Sequence, residues 1–217
     1  MKKFELTNEF ITNMFGTKLF RIRALVEFGD VEAGELGGYV EKESNLGHDD
    51  NAWVYDNAWV YGNARVYGDA LVYDNARVYD NAWVYGDAQV SGDALVYGNA
   101  RVYGNALVCG DALVYDNAWV YGNARVYGNA LVCGDARVCG DARVCGNGDY
   151  AYAHGFGSVN RTTTFFRLKD GGVGVRCGCF YGTLAQFRDK IRETHGETKK
   201  AQEYLMLADL MKLRFEK

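Results

Sequence analysis

Three histidines, six cysteines and an alternating series of arginines and tryptophans are the residues of this chain whose chemistry could reach beyond packing. A histidine could act as a general base, and a regular series of thiolates could hold a metal. His48 and His154 flank the central segment, and His195 falls at the end of an expected helix, where its charged form suits the helix dipole. Cys133, Cys139 and Cys145 recur every six residues and look like a ligand set. Cys177 and Cys179 form a C-x-C pair on an expected strand, where burial in a hairpin is the plainer reading. The segment between His48 and His154 decides what these residues can reach.

From Ala52 to Ala142 alanine recurs at every sixth position, and from Val54 to Val144 valine follows two residues later, each sixteen times without a miss. The unit reads N-A-R-V-Y-G. Alanine and valine two apart point to one face of a strand. The two positions after the outward tyrosine are Gly or Asp, then Asn or Asp, the residues that enter turn and left-handed conformations at least cost. Each hexad is therefore a short strand and a corner. One hexad cannot bury its own Ala and Val, whereas stacked coils make a continuous core. The pattern resembles the hexapeptide repeat of left-handed β-helix proteins, in which three hexads close one triangular coil. That resemblance implies a mainly β chain built on a left-handed parallel β-helix of about five coils, roughly 25 Å long at ~4.8 Å per coil.

Folding the repeat by eighteen residues sorts the outward side chains into columns. One face carries Trp53, Leu71, Gln89, Leu107, Arg125 and Arg143. A second carries Trp59, Arg77, Leu95, Leu113 and Leu131 beside Tyr61, Tyr79, Tyr97 and Tyr115. Its apolar part (Trp59, Leu95, Tyr97, Leu113, Tyr115, Leu131) exceeds the usual patch of a monomer and reads as an oligomer interface. The third alternates Arg65, Trp83, Arg101, Trp119 and Arg137 beside Tyr67, Tyr85, Tyr103 and Tyr121. Guanidinium and indole stacked one strand apart gain about 0.5–1 kcal/mol per pair. Such a ladder either stabilises the sheet surface or offers Arg65, Trp83, Arg101, Trp119, Arg137, Tyr85, Tyr103 and Tyr121 to an aromatic or anionic ligand. Asn63, Asn81, Asn99 and Asn117 form a corner column whose amides can bond to one another. The three repeat cysteines fall on three different faces and cannot converge on one metal. Neither metal nor cofactor is expected.

The ends are expected to be caps, because an open β-helix exposes strand edges. Residues 1–50 read as an N-terminal α/β cap, with a short helix over Leu6–Phe15, a strand over Lys18–Phe28, and Leu36–Val40 leading into the first coil. Residues 51–146 are the β-helix and residues 147–217 a C-terminal ββαα module. In that module Asp170-Gly171-Gly172 turns a hairpin, Thr183 and Gln186 cap a helix ended by Gly196, and a second helix runs from Lys199 to Arg214. Small cysteine side chains in the last coils leave room for the module to pack.

The net charge of −4 divides unevenly: residues 1–50 and 51–146 each hold ten acidic and six basic groups, and residues 147–217 hold eight acidic and twelve basic. A solvated helical surface accounts for that basic tail better than nucleic-acid binding does. Nothing reads as a signal peptide or a membrane span, and six cysteines without a secretion signal suit a reducing cytoplasm. The stretches T-K-L-F-R-I-R-A-L, L-G-G-Y-V-E-K-E, T-F-F-R-L-K-D-G-G-V and C-G-C-F-Y-G-T-L are similar to uncharacterised hexapeptide-repeat proteins of bacteriophages and prophages. This resemblance implies a phage protein in a bacterial host's cytoplasm. The expectation is a non-catalytic, trimeric binding or interaction protein that sequesters a host nucleotide immune signal. The alternatives are a hexapeptide-type acyltransferase using coenzyme A, which would want a catalytic histidine that the coils lack, and a purely structural assembly module.

Overall fold

The structure, a computed structural model, describes residues 2–216. The hexads wind as a parallel β-solenoid. Backbone N–H groups of one coil donate to carbonyls seventeen residues ahead, on the next coil, as in Leu71 N to Ala88 O (2.9 Å) and Tyr73 N to Val90 O (3.0 Å). Rungs stack in register on three faces: Trp53 on Leu71, Trp59 on Arg77, Arg65 on Trp83. The alanines and valines of every hexad fill the interior with at most 1% exposure. That narrow, side-chain-filled core leaves no internal cavity for a ligand, so anything the solenoid binds must lie on its outside.

The corners explain why the repeat alternates Gly and Asp. The first corner residue has a positive φ, for example +69° at Gly86, where an added Cβ would lie 3.0 Å from the Gly104 nitrogen. Asp56, Asp74, Asp80 and Asp116 take the same conformation, with φ between 52° and 60°. Each compensates with its side chain. The Asp74 carboxylate accepts the Gly92 N–H of the next coil at 2.9 Å, and Asp80 and Asp116 accept Gly98 and Gly134 at 3.3 and 3.2 Å. The second corner position carries the expected amide ladder. Asn63 donates to Asn81, Asn81 to Asn99 and Asn99 to Asn117 at 3.1–3.3 Å, and Asn117 donates to Asp135 at 3.2 Å.

The winding starts earlier than the repeat. Strand β3 (Leu36–Val40) pairs in parallel with Trp59–Val60, and Leu46 bridges to Val66, so the solenoid has about six turns where sixteen hexads predict five. The missing hexad is replaced by Asn45, fully buried, whose amide donates to the carbonyls of Gly62 (3.2 Å) and Ala64 (2.9 Å).

The N-terminal cap is all-β, not α/β. Leu6–Phe15 holds no helix: β1 (Phe4–Thr12) pairs antiparallel with β2 (Lys18–Ala24), which pairs antiparallel with β3. A register shift between Leu6 and Phe10 interrupts the two-residue alternation. The cap seals the first coil. Phe4 and Phe28 pack edge-on against Trp53 at 6.2 and 5.3 Å, leaving that outward tryptophan 0% exposed. Lys3 is buried beside them, donating to the carbonyls of Asp50 (2.6 Å) and Ala52 (2.8 Å).

The C-terminal module has four antiparallel strands rather than two: Tyr150–Phe156, Arg161–Arg167, Val173–Cys177 and Phe180–Thr183. Helices α1 (Leu184–His195) and α2 (Lys199–Phe215) follow. The expected capping box is present: Thr183 Oγ1 accepts Gln186 N (3.3 Å) and Gln186 Oε1 accepts Thr183 N (2.8 Å). The module closes the last coil through the Ala142–Leu168 bridge and through Arg137 N, which donates to Thr164 Oγ1 at 2.9 Å.

Candidate binding faces of the solenoid

The alternating ladder forms as its spacing predicts. Arg65 lies 6.0 Å from the Trp83 ring, Arg101 5.0 Å from Trp83 and 5.1 Å from Trp119, and Arg137 4.7 Å from Trp119. Beside it Tyr67, Tyr85, Tyr103 and Tyr121 stack face to face at 4.8–4.9 Å with planes within 3°. Arg65 is exposed and the other members are half-buried. The guanidinium faces are spent on indole, and their N–H edges remain available to an acceptor. At the N-terminal end of the ladder Ser44, Leu46, Gly47, Arg65, Tyr67 and Trp83 line a cleft of about 280 Å³. At the other end Cys139 takes the place of a fifth tyrosine and is buried. Burial first, and then the bond to Cys139, push the Tyr121 hydroxyl upward, while Arg176 of the C-terminal sheet lies 6.0 Å over its ring.

The Trp59 face is the apolar one. Leu95, Leu113 and Leu131 stand in register, half-buried, beside a second tyrosine stack of Tyr61, Tyr79, Tyr97 and Tyr115 at 4.9–5.1 Å. Trp59 itself is covered by Arg77, whose guanidinium lies 4.3 Å from its ring. Desolvation in the stack pushes the Tyr79 hydroxyl up to about 12. Tyr115 reaches about 12 chiefly through its bond to Cys133.

The cysteines and histidines do not assemble into a centre. Cys133, Cys139 and Cys145 lie on rungs of three different sheets. No group of three or more His, Cys, Asp or Glu among the described residues could hold a metal. Cys177 is buried against Thr163 Oγ1 (3.2 Å), but Cys179 is exposed in the following turn instead of sharing its strand face. His48 stacks on Phe4 at 4.4 Å and accepts the Lys3 N–H at 3.2 Å; burial holds its pKa below the usual imidazole value. His154 Nδ1 lies 2.8 Å from Thr162 Oγ1, and His195 stacks on Tyr204 at 5.9 Å. His48 thus lies in the N-terminal cap, and His154 and His195 in the C-terminal module.

One group of residues has no counterpart among the expected sites. Arg143, Arg167 and Lys169 meet at a cleft of about 740 Å³ between the last coils and the C-terminal module. The only sequence signal for it is the pair Arg125 and Arg143, adjacent in the Trp53 column.

The repeat matches the family described as YdcK Beta solenoid repeat over residues 58–72, 70–86, 88–104, 96–110, 100–115, 106–122 and 118–134. The matched stretches all lie within the coils and include neither cap. A comparison with the curated proteins found no match. No described helix is long and apolar enough to cross a membrane.

Proposed function

We propose that this chain is a non-catalytic interaction protein that self-associates, as a trimer, through the Trp59 face. The observation that carries the reading is the in-register column Leu95–Leu113–Leu131 against stacked tyrosines on a flat sheet. Large apolar side chains repeated on one flat face are favourable in water only when another surface covers them. Light scattering should return a multiple of the 24.2 kDa chain, and Leu95→Glu with Leu113→Glu should reduce it to one chain. An unchanged mass in that variant removes the face as the interface.

The Arg/Trp ladder supports a second element of the reading, a planar anionic ligand of the nucleotide type. It offers flat rings and unneutralised guanidinium edges, and its outward columns contain no carboxylate. In the phage setting suggested by the ends, such a ligand would be a host nucleotide signal, sequestered in the bacterial cytoplasm. Calorimetric titration with cyclic dinucleotides and ADP-ribose derivatives tests this, and no heat from any of them rejects it. The left-handed winding implied by the resemblance to hexapeptide-repeat proteins belongs to the same proposal. Acyl transfer from coenzyme A remains the alternative; acetyl-coenzyme A turnover lost in His154→Ala would establish it. A purely structural assembly module would retain the self-association and bind neither class of ligand.

A further inference from the structure

Arginines on the outside of the solenoid lie beside aromatic rings: Arg65, Arg101 and Arg137 on the tryptophan ladder, Arg77 on Trp59. Arg125 and Arg143 break the pattern. They occupy successive rungs in register with each other, about one strand spacing of ~4.8 Å apart. Like charges placed so are destabilising. Neither takes part in an ion pair among the described residues. Arg143 Nη1 donates to the carbonyls of Asn123 and Ala142, both at 3.1 Å, which fixes the guanidinium without neutralising it.

The C-terminal module brings further cations to the same place. Arg167 and Lys169 face Arg143 across the cleft of about 740 Å³, with the rings of Tyr127 and Phe215 in its wall. Arg167 is held over Phe215 at 5.2 Å and donates to Gly171 O at 3.1 Å. Two carboxylates edge the cleft: Asp149 lies 3.9 Å from Arg167 Nε, and Asp141 3.1 Å from Lys169. Three cations and two carboxylates line or edge the cleft, and Arg125 stands on the rung next to Arg143, in a chain whose net charge is −4. On the strands, where the other solenoid arginines lie on aromatic rings, a stacked and unpaired arginine pair is a local conflict of the kind that marks functional sites.

We propose that this junction cleft binds a small polyphosphate-bearing molecule. Guanidinium forks match phosphate oxygens two at a time, and a multivalent anion between Arg125 and Arg143 would turn their repulsion into shared attraction. The cleft has the volume usual for small-molecule sites, and the half-buried Tyr127 ring offers a flat surface to a base, the Phe215 face being taken by Arg167. The site is on a different face from both the Leu/Tyr patch and the Arg/Trp ladder, so it stands independently of them.

The test is calorimetric titration of the full chain with ATP and with inorganic tripolyphosphate in EDTA. At least one probe is expected to bind with one site per chain. Tripolyphosphate binding as tightly as ATP would assign recognition to the phosphates alone, and ATP binding alone would add the base; either outcome supports the site. Arg125→Gln with Arg143→Gln should weaken binding at least tenfold, and Arg192→Gln with Lys200→Gln, the same charge change on α1 and α2 away from the cleft, should leave it unchanged. Without ligand, Arg125→Gln should raise the thermal midpoint, because the like-charged neighbour is gone while the bonds of Arg143 to its carbonyls remain. No heat from either probe, equal affinity in the double variant, or a lowered midpoint in Arg125→Gln would each overturn the proposal. So would binding of a twelve-nucleotide single strand through these arginines when neither small probe binds, which would make the cleft a nucleic-acid contact.

Discussion

Asp74 isolates what the corner chemistry contributes to stability. Its φ is +59°, a conformation that costs a residue with an ordinary Cβ about 1–2 kcal/mol and that Asp tolerates through local hydrogen bonding. Its carboxylate also accepts the Gly92 N–H at 2.9 Å, a surface bond worth about 1 kcal/mol. Asp74→Ala loses the bond and keeps the strain, for a cost of about 2–3 kcal/mol. Asp74→Gly loses the bond and relieves the strain, but adds about 0.4–1 kcal/mol through the freer unfolded chain, for about 1–2 kcal/mol in all. Asp74→Asn keeps both an acceptor and the tolerance, and should stay within about 0.5 kcal/mol. In urea the midpoints should therefore rank Asp with Asn, then Gly, then Ala, at an unchanged slope. If Ala matches Gly, backbone strain plays no part at the corner. If Gly matches Asp, the carboxylate bond contributes nothing.

Four further outcomes are expected. Val102 is fully buried between Val84 and Val120, and Val102→Ala should cost about 2 kcal/mol in the same urea assay, because the flanking rungs prevent collapse onto the void. Burial lowers the Lys3 ammonium from its ordinary value to about 8, so the unfolded chain binds more protons above that pH. Stability should consequently rise between pH 8 and 10 relative to Lys3→Met. The opposite sign applies to the tyrosine stack: Tyr79, raised to about 12, contributes stability present below pH 10 and lost as pH climbs through 12, which alkaline unfolding followed at 295 nm would reveal. Finally, Cys145 and Cys179 are exposed while Cys139 and Cys177 are buried, so a thiol reagent should modify the first two rapidly and the latter two only on unfolding.

The coils were legible in the sequence because period, polarity and corner residues agree at every hexad. The ladders followed directly, since parallel rungs eighteen residues apart place identical positions side by side. The N-terminal helix was misread for a local reason. The bulge between Leu6 and Phe10 replaces the step of two with a step of four, and Leu6 and Phe10 then resemble an i,i+4 helical pair. The extra partial turn was hidden because Leu36–Val40 and Asn45 do the work of hexads without their sequence. Asn147-Gly148 marks a turn before the strand Tyr150–Phe156, but Gly155 and Gly157 blur its far end, where it meets the next strand only through a register shift. The basic cleft could not be read at all beyond Arg125 and Arg143, because Arg167 and Lys169 reach it only through the way the module docks.

The alternation of arginine and tryptophan repeats every second coil, a period of thirty-six residues. A duplication of one coil would preserve the core, the corners and the rung register, yet it would set arginine on arginine or tryptophan on tryptophan within the ladder. Duplication of two coils would preserve everything. The length of this solenoid is therefore open to genetic expansion in steps of two, with the caps unchanged, and the ladder constrains that growth more tightly than the fold does.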